Sequence, residues 1–149
     1  MIIRNATIFD HTGILTCIIK WLDECSIGFP RVNTAIAEWI NQVIINGYCI
    51  VAEEDGVIVG CCGMTYTHFP WNDKVAILNS EWFHVDKEFR HSGTARKMID
   101  EIKGFASDRN LPVIMGISNG VDTEKKKRFL QITGATHVGG NFIYGLGEK

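Results

Sequence analysis

EWFHVDKEFRHSGTARKMIDEIKGFA, Glu81 to Ala106, is the stretch whose reading decides the fold. Its first part is an apolar strand (Trp82, Phe83, Val85) that enters a short charged turn. The turn runs Arg90-His91-Ser92-Gly93-Thr94-Ala95, and apolar residues then recur at helical spacing: Ala95, Met98, Ile99, Ile102, Phe105 and Ala106. The first turn of a helix carries unpaired backbone N–H groups and a partial positive charge. Small residues such as Gly93 and Ala95 leave that end uncovered, so a phosphate can sit on the backbone. Arg90 adds a positive charge. The stretch reads as a diphosphate-binding turn, and a turn alone would need neither the arginine nor the bare helix start.

Working outward, Ile2 to Phe9 reads as a first strand. Asp10 or Thr12 caps a helix with its stripe at Ile14, Leu15, Ile18, Trp21, Leu22 and Cys25. Ser26 to Pro30 breaks the pattern before a second helix, capped by Asn33, with Ile36, Trp39, Ile40, Val43 and Ile44 inward. Asn46-Gly47 supplies a left-handed terminator. Tyr48 to Glu53 and Val57 to Tyr66 are strands joined at Asp55-Gly56. A turn-rich loop, Thr67 to Lys74, precedes a long strand to Val85. After the Glu81–Ala106 stretch come a short strand, Val113 to Ile117, a polar-faced helix from Asp122 or Thr123 to Ile132, and a last strand or hairpin within Thr136 to Leu146. The order β-α-α-β-β-β-α-β-α-β predicts a single α/β domain over 1–149 with a mixed, mostly antiparallel sheet.

Composition narrows the classes. With 149 residues, 46% hydrophobic and 21% charged, the chain can bury a real core. A formal charge of −2 gives no support to a nucleic-acid-binding surface. Charges at Arg4, Lys20, Glu38 and Glu53 interrupt every apolar run, so no membrane span is expected. The N-terminus has no basic-then-apolar leader, which predicts a cytoplasmic protein. Five cysteines, at 17, 25, 49, 61 and 62, lack metal-type spacing and read as buried thiols, Cys61 and Cys62 on opposite faces of one strand.

The run Val85-Asp86-Lys87-Glu88-Phe89-Arg90-His91-Ser92-Gly93-Thr94-Ala95 resembles the acyl-CoA-binding motif of the GNAT superfamily of N-acetyltransferases, with Lys87 in place of the usual proline. The element order resembles the fold of that family over nearly the whole chain. The resemblance implies acetyl-CoA as co-substrate, its pantetheine arm along the backbone of Phe83, His84 and Val85 and its diphosphate on the amides from Arg90 to Ala95. It also implies direct attack by a primary amine, from a small molecule or a protein, and Glu81 as the base, sharing a strand face with Phe83 and Val85. A solvated Glu81 paired with a lysine is the competing reading. Asn79 and Ser80 could hold a water beside it, while His84 points to the other face with Ser80 and Trp82.

The family's usual acid, a tyrosine four residues before the glycine that ends the penultimate helix, is Leu130 here, and the asparagine seven residues earlier is Thr123. Asn119 is the candidate to replace that asparagine as a cofactor contact, and Tyr66 or Tyr144 the candidates to replace the tyrosine. The acceptor wall implied by the resemblance includes Trp21, Asp23, Glu24, Phe29 and Asn141. Phe69-Pro70-Trp71 either extends that wall, forms a partner surface or anchors a turn. The last strands are those that relatives use in a homodimer. Two alternatives stay open: an acyl-CoA-binding module without turnover, for which Leu130 and Thr123 speak, and a structural domain with no cofactor.

Overall fold

The computed structural model describes residues 1–28, 30–117 and 119–145. Five strands form one sheet in the order β1-β2-β3-β4-β5: Ile2–Asn5, Tyr48–Glu54, Val57–Phe69, Asn72–Val85 and Val113–Ile114. The first four are antiparallel and β5 joins β4 in parallel, giving the expected mixed sheet. On one face lie α1 (His11–Glu24) and α2 (Asn33–Asn46), burying Ile14, Cys17, Ile18, Ile36, Ile40 and Val43 against Val51, Cys61 and Trp82. On the other lies α3 (Thr94–Asp108), whose Met98, Ile99 and Ile102 cover Ile50, Cys62, Met64, Leu78 and Val85. Phe129 and Leu130 of α4 (Thr123–Ile132) pack at the edge of that second core. Cys61 and Cys62 thus face opposite cores, as alternation requires, and all five cysteines are buried thiols outside any disulfide. Burial pushes the Cys49 thiol up to about 12, so it stays protonated and behaves as a small hydrophobe.

The helical stripes and the Asp55-Gly56 hairpin form as the sequence predicts. Both turn residues have positive φ, 50° and 78°, the geometry that matches the twist of paired strands. Four expectations change. The first strand ends at Asn5, because Asp10 folds the chain back into a short helical turn by accepting the Thr7 N–H and the Arg4 guanidinium. The expected loop at 67–74 is instead a continuation of the hairpin, with Phe69 paired to Asn72 across Pro70-Trp71. Phe69 and Trp71 stack on each other at that tip and are exposed, so they do not anchor it from within. Residues 136–145 form no strand, and Leu146 lies outside the described residues.

Gly47 is the fourth correction. Its φ of −112° is not left-handed. Glycine is required there because a Cβ would stand 2.2 Å from the Met64 carbonyl oxygen, where α2 turns straight into β2. Gly47→Ala must push two backbone segments apart, at an expected cost of about 2–3 kcal/mol. Thermal denaturation should then show a Tm lowered by roughly 4–10 °C.

Arg4, on the edge strand, bridges Asp10 at 2.8 Å and Glu53 at 2.7 Å, tying the start of α1 to β2. The Arg4 hydrogen bond, helped by Thr7, holds the Asp10 carboxyl down at about 2 against the opposing effect of burial. A carboxyl lowered on folding stabilises above its unfolded value and loses that contribution as pH falls through its folded value. Asp10→Asn should therefore be less stable than the parent at pH 7, by about 1–2 kcal/mol. In denaturant titrations the gap should close between about pH 4 and pH 2.

Candidate active site

The site begins with a register fault. Gly63 pairs with Trp82 and Met64 with Ser80, so Glu81 is an extra residue on β4 opposite no partner. Such a bulge turns two successive side chains to the same side. Trp82 lies flat over Gly63, where a Cβ would meet its ring at 2.3 Å, and its edge meets the Trp39 indole at 4.7 Å between centroids. Glu81 therefore points with Trp82 toward α2, not with Phe83 and Val85, which face the α3 core. Beyond the fault the alternation is shifted: Ser80 joins Leu78 on the α3 face, away from Trp82 and His84, and its Oγ accepts the Gly116 N–H at 2.9 Å. Asn79 reaches only the Ser80 carbonyl, at 3.5 Å.

Glu81 is fixed by two donors, Thr65 Oγ1 at 2.7 Å and Trp39 Nε1 at 3.2 Å. No lysine approaches it among the described contacts. A carboxylate has about four lone-pair directions, so two remain for an incoming group. They open into a pocket of about 330 Å³ walled by Trp39, Val43, Tyr66 and Thr65 with Gln42 and Asn46 at the rim. Sequence reasoning assigned Trp39 to the core and offered Tyr66 as a stand-in for the missing tyrosine. Only the fold brings Trp39 to Glu81, through the bulge and the end of α2.

β5 pairs with β4 only at Leu78 and Asn79, then departs. From Trp82 to Val85 the strand is paired to β3 on one side, and its other edge has no ladder partner among the described residues. Phe83, His84 and Val85 sit along that open edge. The His84 imidazole turns toward α1, is buried, and donates to Asp86 Oδ1 at 2.9 Å; the carboxylate accepts only, which fixes the proton on Nε2. Burial lowers its pKa against the pull of Asp86, so it is neutral near pH 7. Lys20 of α1 holds the other oxygen of Asp86 at 2.5 Å.

The turn beyond ends in Gly93, left-handed at φ 81°, with nothing within 4 Å of where a Cβ would be. The first intrahelical bond of α3 is Lys97 N–H to the Gly93 carbonyl, so the amides of Gly93, Thr94, Ala95 and Arg96 precede the ladder. His91, Ser92 and Gly93 are exposed, whereas the Thr94 side chain is buried and shares a hydrogen bond with Ser92 Oγ. Arg90 is not the free charge expected of it. Its Nε donates to the Val85 carbonyl at 2.8 Å and its Nη2 spans both oxygens of Glu24 at 2.8 Å.

The remaining expected residues separate. Asn119 is buried and committed: Oδ1 accepts Lys126 Nζ at 2.7 Å and the Val121 N–H, while its carbonyl accepts the Ser26 N–H. It joins α4 to the segment after α1 through its Oδ1 and its carbonyl. Asp23 pairs with Arg31, and Glu24 with Arg90, so the acidic pair expected in the acceptor wall is neutralised. Phe29 lies outside the described residues. Tyr144 is 96% exposed and Asn141 is exposed too, neither lining the pocket. Leu130 packs into the α3 core, so α4 offers no proton donor at that position.

No helix among the described residues is long and apolar enough to cross a membrane. No curated protein sequence matches the chain. Solved structures share its fold. It is similar to the aminoglycoside antibiotic 6'-N-acetyltransferase AAC(6')-IG from Acinetobacter haemolyticus, with 13% identity, 97% of each chain covered and a TM-score of 0.71. It is similar to the ribosomal-protein-alanine N-acetyltransferase of Brucella melitensis biovar Abortus 2308, with 16% identity, 97% and 99% covered and a TM-score of 0.71. A predicted acetyltransferase from Clostridium acetobutylicum, solved with acetyl-CoA, shares 18% identity over 97% and 95% of the two chains at a TM-score of 0.73. At such identities these likenesses speak for the fold alone. The family model for the acetyltransferase (GNAT) domain matches residues 46–131, which is 86 of the 149 residues and spans the bulged strand, the turn and α3. The chain belongs to the GNAT acetyltransferases, enzymes that take their acyl group from acetyl-CoA.

Proposed function

We propose that the chain transfers an acetyl group from acetyl-CoA to a primary amine, with Glu81 receiving the amine's proton. The observation that carries this reading is a single strand, β4, with a carboxylate bulged into an open pocket and an unpaired edge leading to a bare helix start. The backbone from Glu81 to Val85, without a ladder partner on that edge and committed only at the Val85 carbonyl, suits an extended amide-bearing arm, since backbone groups left without a ladder seek partners. The amides from Gly93 to Arg96 suit a diphosphate. Arg90 orders this turn by clamping it to α1 through Glu24. Acetyl-CoA supplies a thioester carbonyl; the amine nitrogen forms the new C–N bond to it as the C–S bond breaks.

An ammonium has no lone pair, so the amine must first lose a proton, directly or through water, to Glu81. Thr65 and Trp39 hold that carboxylate in place through its two oxygens. Leu130 gives the departing thiolate no proton, and a thiol of ordinary pKa near 8.5 leaves without one at modest cost. The alternative, a binding module without turnover, rests on the same leucine.

Acetyl-CoA at a hundredfold excess over its Kd should add about 2.7 kcal/mol of stability, raising the Tm by roughly 5–10 °C. Absence of a shift removes the cofactor reading. Gly93→Glu, which puts an anion on the open turn, should abolish that shift. Gly93→Asn, which tolerates the left-handed backbone without adding charge, should keep most of it. Glu81→Gln should retain the acetyl-CoA shift while release of free CoA thiol in the presence of an amine slows by about a hundredfold. Unchanged turnover there assigns the proton to another group, and no turnover in the parent with any amine favours the binding module.

A further inference from the structure

Resting on the acetyltransfer reading, we infer that the Trp39–Tyr66–Glu81 pocket takes a small primary amine with one positive charge on an apolar or aromatic body, and discriminates against amines that carry a carboxylate or further ammonium groups.

The charge inventory is the first argument. Among the described residues Glu81 is the only carboxylate that lines the pocket, and no lysine, arginine or histidine does. One ammonium is matched by one carboxylate. A second cationic group would need a second counter-charge, which that lining does not supply. A substrate carboxylate beside the amine would face Glu81 with no cation to offset it, which disfavours it as like charges within a few ångströms do.

The walls are the second argument. The Trp39 indole is locked by its Nε1–H to Glu81 and by the edge of Trp82, and its remaining ring surface borders the pocket. Tyr66 follows Thr65 on β3 and pairs with Leu78, so alternation turns its side chain to the α3 face and Trp39 is the aromatic surface beside Glu81. A cation held between that aromatic face and a carboxylate is stabilised by both. At the rim Asn46 Nδ2 donates to Gln42 Oε1, so this pair contributes neutral polar groups and no charge.

Size is the third. The pocket of about 330 Å³ sits at the low end for small-molecule sites. At about 30 Å³ per water-sized group it holds roughly ten non-hydrogen atoms. The nine non-hydrogen atoms of a phenylethylamine fit that figure.

The test uses the purified chain with three amines of matched reactivity: phenylethylamine, phenylalanine (the same body with a carboxylate) and spermidine. Acetyl transfer is followed by CoA thiol release, and amine binding separately by calorimetry on the protein alone. Phenylethylamine should exceed each of the others by about tenfold or more in kcat/KM and in affinity. Trp39→Leu should raise the phenylethylamine KM several-fold while the acetyl-CoA melting shift stays unchanged. Trp39→Phe, which keeps an aromatic wall but drops the Nε1–H, should cost less amine affinity than Trp39→Leu. Equal or better handling of phenylalanine or spermidine overturns the inference, as does a lysine-bearing peptide that outperforms phenylethylamine, or a Trp39→Leu enzyme with an unaltered KM. Should acetyl-CoA give no melting shift, the acetyltransfer reading fails on that measurement, and the calorimetric ranking of the amines still decides this inference.

Discussion

β4 is held along its length by β3 and along only two residues by β5. Everything assigned to the site follows from that asymmetry. A strand must satisfy its backbone groups on both edges or leave them to solvent or a ligand. Here the second edge has no ladder partner between Glu81 and Val85 among the described residues, and the chain then continues into a turn that leaves the amides from Gly93 to Arg96 ahead of the helical ladder. The Val85 carbonyl, which Arg90 holds, is the committed point between the open edge and the open helix start.

The bulge at Glu81 is the other half of the constraint. Without it, strict alternation would place Glu81 on the α3 face, in the apolar layer with Phe83 and Val85. Burying a carboxylate there would carry a large desolvation cost. The extra residue resolves the conflict by turning Glu81 to the side of Trp39 and Thr65, which satisfy part of it and leave the rest exposed to the pocket. Gly63 makes room for Trp82, whose ring occupies the space a side chain would take. The same arrangement brings Trp39 edge-on against Trp82.

Charge is distributed with similar economy. Asp86 is shared between Lys20 and His84, Glu24 is taken by Arg90, Asp23 by Arg31, and Asp10 by Arg4. Two of these ties, Lys20–Asp86 and Arg90–Glu24, stitch the second half of α1 to the end of β4 and the phosphate turn. Ser26, just beyond α1, is bonded to Asn119, which Lys126 of α4 holds in turn. The segment between the first two helices is thus braced from both sides of the open edge. Glu81 stands apart as the carboxylate with uncommitted lone pairs beside an aromatic wall.

Much of this was legible in the residues. The apolar stripes of α1, α2 and α3, the Asp55-Gly56 hairpin, the opposite facing of Cys61 and Cys62, and the bare start of α3 at Gly93 all follow from local periodicity and backbone sterics, which a sequence carries directly. Local pattern also pointed to Glu81, but through the wrong face, because a one-residue register fault is invisible to a period-two reading. Gly47 reads as a helix terminator and is in fact a point of close approach to Met64, a contact between positions that only the sheet makes neighbours. Arg90 reads as a free cation and is clamped to Glu24, 66 residues away. The sequence by itself determined the helices, the order of elements through α4 and the open turn before α3, since these depend on neighbours within a few residues. The tertiary structure alone decided which way Glu81 faces, which charges remain uncommitted and which aromatics wall the pocket, because each of those depends on strand register and on pairings between distant parts of the chain.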